Sequence, residues 1–185
     1  MTLESALNIS FKKDFYLPFE NILCPMSQTY FFQSPLGTLE IQAAQNELHS
    51  VQFSAKTMPQ STPVPTAFIT SIFQYLTSYF EKGTTPLPQD LNPSGTLFQK
   101  KVWALVQSIP SGSCCTYKQL AQQLGDENAT RALGSALSKN PILILIPCHR
   151  VVGSNGTLTG YAGGLDRKKW LLEHEGFLKQ KSLLL

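Results

Sequence analysis

Apolar and polar positions fall into two different rhythms along the chain. Over Thr29–Gln33, Leu39–Ala43 and Leu48–Phe53 short apolar-rich runs are broken by Ser34-Pro35-Leu36-Gly37 and by Gln45-Asn46-Glu47, which predicts an antiparallel meander. After the Pro-, Ser- and Thr-rich tract 57–65, Phe68, Ile72, Tyr75, Leu76, Tyr79 and Phe80 recur at helical spacing and predict one helix over Thr66–Lys82, stopped by Gly83. Gly83–Pro93, with Pro86, Pro88 and Pro93, reads as a linker. Beyond it Thr96 with Gln99, and Thr116 with Gln119, are capping-box pairs that open two helices. The first carries Phe98, Val102, Leu105 and Val106 and ends at Ile109-Pro110-Ser111-Gly112; the second is Tyr117–Leu124, stopped by Gly125. Asn128 is positioned to cap a third, Ala129–Lys139. The unbroken apolar run Ile142–Ile146 predicts a buried strand, and Asp166–Glu175, followed by Gly176, a last helix.

These elements predict an α/β protein of the α+β kind. Residues 1–27 form an irregular lead-in, 28–92 a sheet-plus-helix domain, and 93–185 a mainly helical domain.

Composition narrows the function classes. The 185 residues are 42% apolar, enough for a core in one domain or two small ones. No apolar run nears the ~20 residues of a membrane span, and the amino terminus lacks a secretory pattern, so an intracellular protein without a membrane partner is expected. The net charge of +3 hides an asymmetry. Residues 1–93 hold 4 Lys and Arg against 7 Asp and Glu, whereas 94–185 hold 11 against 5. A basic half suggests an anionic partner, although a solvated basic face gives the same signature.

The candidate chemistry gathers in that half. Four cysteines, Cys24, Cys114, Cys115 and Cys148, lack the spacing of a disulfide scaffold. Cys148 stands apart because it follows a buried run and Pro147 and precedes His149 and Arg150, whose imidazole and charge would favour a thiolate below the usual ~8.5. A Cys-His unit needs a third group to orient the imidazole. Glu175 is the candidate, since a carboxylate at a helix C-terminus costs roughly 0.3–1 kcal/mol unless a partner offsets it. An inert buried cysteine and a solvated helix-end glutamate are the plainer readings. Adjacent Cys-Cys and Cys-His pairs do not match structural zinc spacing, so no metal is expected. For the vicinal pair Cys114-Cys115 packing is favoured over redox sensing.

The helices Tyr117–Leu124 and Ala129–Lys139, joined by a tight Gly-containing turn, match a helix-turn-helix. The second is slender, with Ala129, Ala132, Gly134, Ser135, Ala136 and Ser138, and Arg131 is the long cation of its first turn. A thin helix can enter a narrow groove or pack closely on a neighbour. The glycine-rich stretch Gly160–Gly164 allows close backbone approach to a ligand but carries no phosphate-cradle signature.

Pro147-Cys148-His149-Arg150-Val151, with Arg131–Leu137, Asn140-Pro141, Gly160-Tyr161-Ala162-Gly163-Gly164 and His174-Glu175-Gly176 in order, resembles the methylated-DNA–protein-cysteine methyltransferases (6-O-alkylguanine-DNA alkyltransferases) over residues 95–177. The resemblance implies a ribonuclease-H-like amino-terminal domain and a winged-helix-like, helix-turn-helix carboxyl domain. It implies direct DNA repair, an irreversible single-turnover transfer of a methyl or larger alkyl group from guanine O6, and from thymine O4, to Cys148. His149 would act as base through a water, Glu175 would hold His149, Asn140 would support the loop and Tyr117 would protonate guanine N3. Arg131 would fill the space left by a flipped base, with Ala129, Thr130, Ala132, Gly134 and Ser135 along the minor groove. Val151, Tyr161, Ala162 and Gly163 would form the substrate pocket. The implied partner is double-stranded DNA, bound by a monomer without cofactor or metal, in the cytoplasm or, in a eukaryote, the nucleus.

Some members carry Ser where Ala162 stands, which bears on alkyl preference, and with no room in these 185 residues for the cysteine-rich sensor domain of inducible relatives a transcriptional role is not expected. A damage sensor without acceptor activity, a cysteine hydrolase and a plain helix-turn-helix module are the competing readings. The first replaces the acceptor cysteine, the second leaves Arg131 unexplained, and the third leaves Cys148-His149 unexplained.

Overall fold

The computed structural model describes residues 27–177, apart from 57, 60, 84–85 and 87–90. Cys24, nearly all of the lead-in 1–27, much of the linker Gly83–Pro93 and the terminal Leu183–Leu185 lie outside the described residues.

Strands β1 (Gln28–Ser34), β2 (Gly37–Ala44) and β3 (Glu47–Phe53) form the expected antiparallel meander in the order β1-β2-β3. Alternation places Tyr30 of β1 and Leu39, Ile41 and Ala43 of β2 on the buried face, and a register shift opposite Gln42 and Ala43 lets Leu48 and Val51 of β3, three apart, share it. The β2–β3 turn holds Gln45 and Asn46 at φ 47° and 66°, the twist that suits a two-residue hairpin. Helix α1 (Ala67–Lys82) buries Ile69, Ile72, Tyr75, Leu76 and Tyr79, is capped by the Thr66 hydroxyl, and ends at Gly83 with φ 70°. A Cβ at Gly83 would sit 2.4 Å from the His174 carbonyl oxygen, so glycine is required by contact as well as by φ.

The carboxyl half is α2 (Leu97–Gln107), β4 (Cys115–Thr116), α3 (Tyr117–Leu124), α4 (Thr130–Ser138), β5 (Val151–Val152) and α5 (Leu165–His174). Both capping boxes are formed. Trp103 of α2 is buried and donates to the Ala136 carbonyl at 3.0 Å, which seats α2 on α4. Helices α3 and α4 are the expected helix-turn-helix, but its turn differs from expectation in one detail. Asp126, not Asn128, is the cap: its carboxylate accepts the Asn128 N–H at 2.9 Å and opens a 3₁₀ turn, Glu127–Ala129, before α4 begins at Thr130.

A second correction concerns Ile142–Ile146. All five residues are fully buried, yet they form a folded-back loop, not a strand, with Ile144 at φ 72°. A β-branched residue at positive φ costs about 1–3 kcal/mol and persists where its surroundings over-determine it. Two features do so here. Val51 of β3 exchanges backbone hydrogen bonds with Pro141 and Leu143, both at 2.9 Å. Asn140 closes the loop from within, accepting from Ile142 N–H at 3.0 Å and donating to the Ile146 carbonyl at 2.8 Å. One continuous core therefore runs from the sheet through this loop to α2–α5, and the loop delivers Cys148.

Candidate active site

Cys148 opens the 3₁₀ turn Cys148–Arg150 immediately after Pro147. Its thiol lies at the floor of a cavity of about 270 Å³. Tyr117 at the start of α3 lines one wall, Gly134, Leu137 and Ser138 of α4 another, and Gly160, Tyr161 and Ala162 the third. The Asn140 side chain donates to Cys148 Sγ at 3.1 Å. Burial pushes the thiol up to about 11, against the pull of the Asn140 hydrogen bond and of the Lys168 ammonium. This corrects the expectation that His149 and Arg150 lower it. Arg150 is committed elsewhere.

Its guanidinium donates through Nε and Nη2 to the two oxygens of Glu175 at 2.9 and 3.0 Å, and through Nη1 to the Ile109 carbonyl at 2.6 Å. The Tyr79 hydroxyl donates to Glu175 Oε1 at 2.7 Å, and His149 Nε2 lies 2.8 Å from the same oxygen. Glu175 sits at the C-terminal end of α5, where the helix dipole opposes it. Burial alone would raise its pKa, but His149 and Arg150 hold it down to about 2. For His149, burial dominates and lowers the pKa, so the imidazole is neutral. An ionised carboxylate can only accept, which makes Nε2 the protonated nitrogen and leaves a lone pair on Nδ1. Nδ1 is buried with no hydrogen-bond partner among the described residues. That is the tautomer a general base requires. Tyr161 stands edge-on to the ring at 6.1 Å between centroids.

Of the expected residues, Tyr117, Gly134, Cys148, Tyr161 and Ala162 line this cavity, and Asn140 reaches it through its hydrogen bond to Cys148 Sγ. Val151 and Gly163, expected in the substrate pocket, do not line it; the Val151 carbonyl accepts from Lys168 at 2.6 Å. On α4, Thr130, Arg131, Ala132 and Ser135 are exposed and Gly134 faces inward to the cavity, whereas Ala129, in the preceding 3₁₀ turn, is buried. Burial raises the Tyr117 hydroxyl, and the nearby Cys148 adds to that, so the phenol stays protonated. Cys114 and Cys115 sit at β4; burial pushes Cys114 up to about 12 and raises Cys115, which makes both poor nucleophiles. Among the described residues no group of three His, Cys, Asp or Glu side chains is placed to hold a metal ion, and no helix is long and apolar enough to cross a membrane.

Sequence reasoning passed over Tyr79 and Lys168. Tyr79 looks like any aromatic on an apolar helix face. Lys168 carried a signal: it lies three and four residues before the buried Leu171 and Leu172, hence on the apolar face of α5. Its ammonium is fully buried and bonds the carbonyls of Val151, Thr159 and Gly160 at 2.6, 2.6 and 3.2 Å. Burial brings its pKa down to about 8.

Fold and site together place the buried Cys148 thiol next in the chain to a neutral imidazole, beneath a helix-turn-helix. Residues 97–177 match the model of the 6-O-methylguanine DNA methyltransferase DNA-binding domain. The chain is 40% identical over 149 residues to the methylated-DNA–protein-cysteine methyltransferase of Methanosarcina acetivorans, covering 78% of this chain and 96% of that protein. It is 58% identical over 84 residues to the protein of the same name from Shigella flexneri, but covers only 49% of that relative's length, against 45% of its own. The crystal structure of Mycobacterium tuberculosis OGT in complex with DNA superposes with a TM-score of 0.70 at 38% identity, over 80% of this chain and 92% of that one. The chain belongs to the methylated-DNA–protein-cysteine methyltransferase family.

Proposed function

We propose that the chain repairs DNA by taking the alkyl group from guanine O6, and from thymine O4, onto Cys148 in a single irreversible turnover. The observation that carries this reading is the Cys148 thiol on the floor of a cavity beside a neutral, Glu175-held His149. A thiol pushed up to about 11 is inert until a base removes its proton. His149 Nδ1 takes that proton through a bridging water. The thiolate attacks the alkyl carbon, the S–C bond forms, the C–O6 bond breaks, and its electron pair stays on the guanine. Tyr117 delivers a proton to N3, so the base leaves neutral. Cys148 ends as a thioether with no route back to the thiol, which makes the protein its own consumed reagent.

The target carbon lies inside a base stack, so the nucleotide must be flipped into the cavity. Support comes from α4, which carries Arg131 and the small exposed residues Ala132 and Ser135 on its outer face and Gly134, Leu137 and Ser138 on the cavity side. We assign the outer face to the minor groove of double-stranded DNA, Arg131 to the vacated stack, and residues 93–185 to the DNA-binding and alkyl-accepting unit, with 28–92 as its support. The protein acts as a monomer in the compartment that holds the genome, without metal or cofactor.

Intact-protein mass spectrometry after incubation with duplex DNA carrying one 6-O-methylguanine tests this. One methyl group gained per molecule, absent in Cys148→Ala, is the expected result. Selective binding of the damaged duplex without mass gain would establish a damage sensor instead, and no binding would remove the DNA-repair reading.

A further inference from the structure

The cavity wall formed by Tyr161 and Ala162 is the tip of a loop with glycines at both ends, Gly160 at φ 31° and Gly164 at φ 91°. Such a tip moves unless it is fastened. Two consecutive residues of α5 fasten it, because neighbours on a helix point about 100° apart. Lys168 turns inward and holds the entering strand at Thr159 and Gly160. Arg167 turns outward and holds the leaving strand: its Nη1 donates to the Gly163 carbonyl at 3.0 Å. Through Nε it donates to the Leu36 carbonyl, in the β1–β2 turn, also at 3.0 Å, and its guanidinium lies 4.3 Å over the Phe53 ring at the end of β3. Phe53 in turn packs against Gly163, where a Cβ would meet the ring at 3.0 Å. No described residue of the amino-terminal sheet lines the cavity, yet the sheet grips the loop that does.

Resting on the alkyl-acceptor reading, we infer that Arg167 is a positioning residue that ties Gly163 to the amino-terminal sheet and so holds the Tyr161–Ala162 wall against the flipped base. A planar fork suits this task, since one guanidinium bonds two carbonyls while stacking flat on an aromatic ring. A lysine ammonium is a compact point donor without the planar fork that spans two separated carbonyls, and it does not stack in that way.

Single-turnover transfer from duplex DNA carrying 6-O-methylguanine, measured over a range of protein concentrations, separates DNA affinity from the limiting transfer rate. Arg167→Ala should lower the limiting rate per folded molecule by about tenfold, the effect of losing roughly one charge-assisted hydrogen bond, while affinity for unmodified duplex stays within about twofold of wild type. Arg167→Lys should fall between. Lys169→Ala, which removes the same charge from an exposed position on α5, should leave the limiting rate unchanged. Amide hydrogen exchange at residues 160–164 should accelerate in Arg167→Ala and not in Lys169→Ala. A purely structural role would reduce the folded fraction and leave the rate per folded molecule intact. An unchanged limiting rate with unchanged exchange at 160–164 would overturn the inference. If the wild-type chain transfers nothing, the alkyl-acceptor reading falls by itself, and the exchange measurement still supports or overturns the brace.

Discussion

The two sides of His149 face equally dry surroundings and treat charge in opposite ways. On one side the Glu175 carboxylate accepts from Tyr79, from His149 and twice from Arg150, and it is held down to about 2. On the other, Cys148 has the Asn140 amide and the field of Lys168, and it is pushed up to about 11. A low dielectric strengthens whatever polar groups converge and penalises charge where few do. The site thus keeps a standing negative charge on Glu175 and keeps Cys148 as a protonated thiol. On the proposed single-turnover reading the arrangement has a use, because adventitious alkylation or oxidation of a standing thiolate would spend the protein without a repair.

Removing the carboxylate is the strongest way to break the contrast. Glu175→Ala should destabilise the fold by about 3–5 kcal/mol in chemical denaturation, because Arg150 is left as a buried charge without its partner. His149→Ala should leave much of the fold in place and slow alkyl transfer about 10²–10⁴-fold, the usual contribution of a general base, in single-turnover assays.

Acid should dissolve the contrast in two stages. The folded-state pKa of His149 is lowered, so the unfolded chain binds its proton first, and stability should decline as pH falls below the unfolded value near 6.5. Glu175 contributes stability above its unfolded value near 4.5, on the order of 3 kcal/mol, which should be lost as pH falls from there toward about 2. Denaturation midpoints followed against pH would show both. Alkaline pH acts on the thiol side, where the raised Cys148 contributes stability below 9 that is lost as pH rises toward about 11.

Asn140→Ala should cost about 1–3 kcal/mol, since it strips two backbone groups and the thiol of a buried partner, and it should raise the pH at which iodoacetamide labels Cys148. The smallest effect belongs to Cys114→Ser. Within about 0.5 kcal/mol and without change in transfer rate is the expected result for a half-buried residue away from the cavity wall.

Features carried by neighbours in the chain are legible in the order of residues alone. The hydroxyl caps Thr66, Thr96 and Thr116 and the αL stops Gly83 and Gly125 act over three or four residues, so their helices begin and end where those residues stand. Cys148 with His149, and a glutamate at a helix end in need of a partner, are visible for the same reason. The Asp126–Asn128 turn is harder to read because two adequate caps stand two residues apart, and the choice falls to the 3₁₀ turn that packs Ala129 inward.

What the chain determined alone is its local grammar: a meander, capped helices, a helix-turn-helix with a slender second helix, and the Cys148 thiol with its neighbouring imidazole. Tertiary structure decided the rest. Whether Ile142–Ile146 runs straight or folds back depended on Asn140 and on Val51, far away in the chain, whose hydrogen bonds outweigh the strain at Ile144. Whether Arg150 serves the thiol or the carboxylate depended on where α5 places Glu175, and the state of the thiol depended on how completely the cavity excludes water. Charge and burial are set by everything within several ångströms, and only the folded chain assembles that neighbourhood.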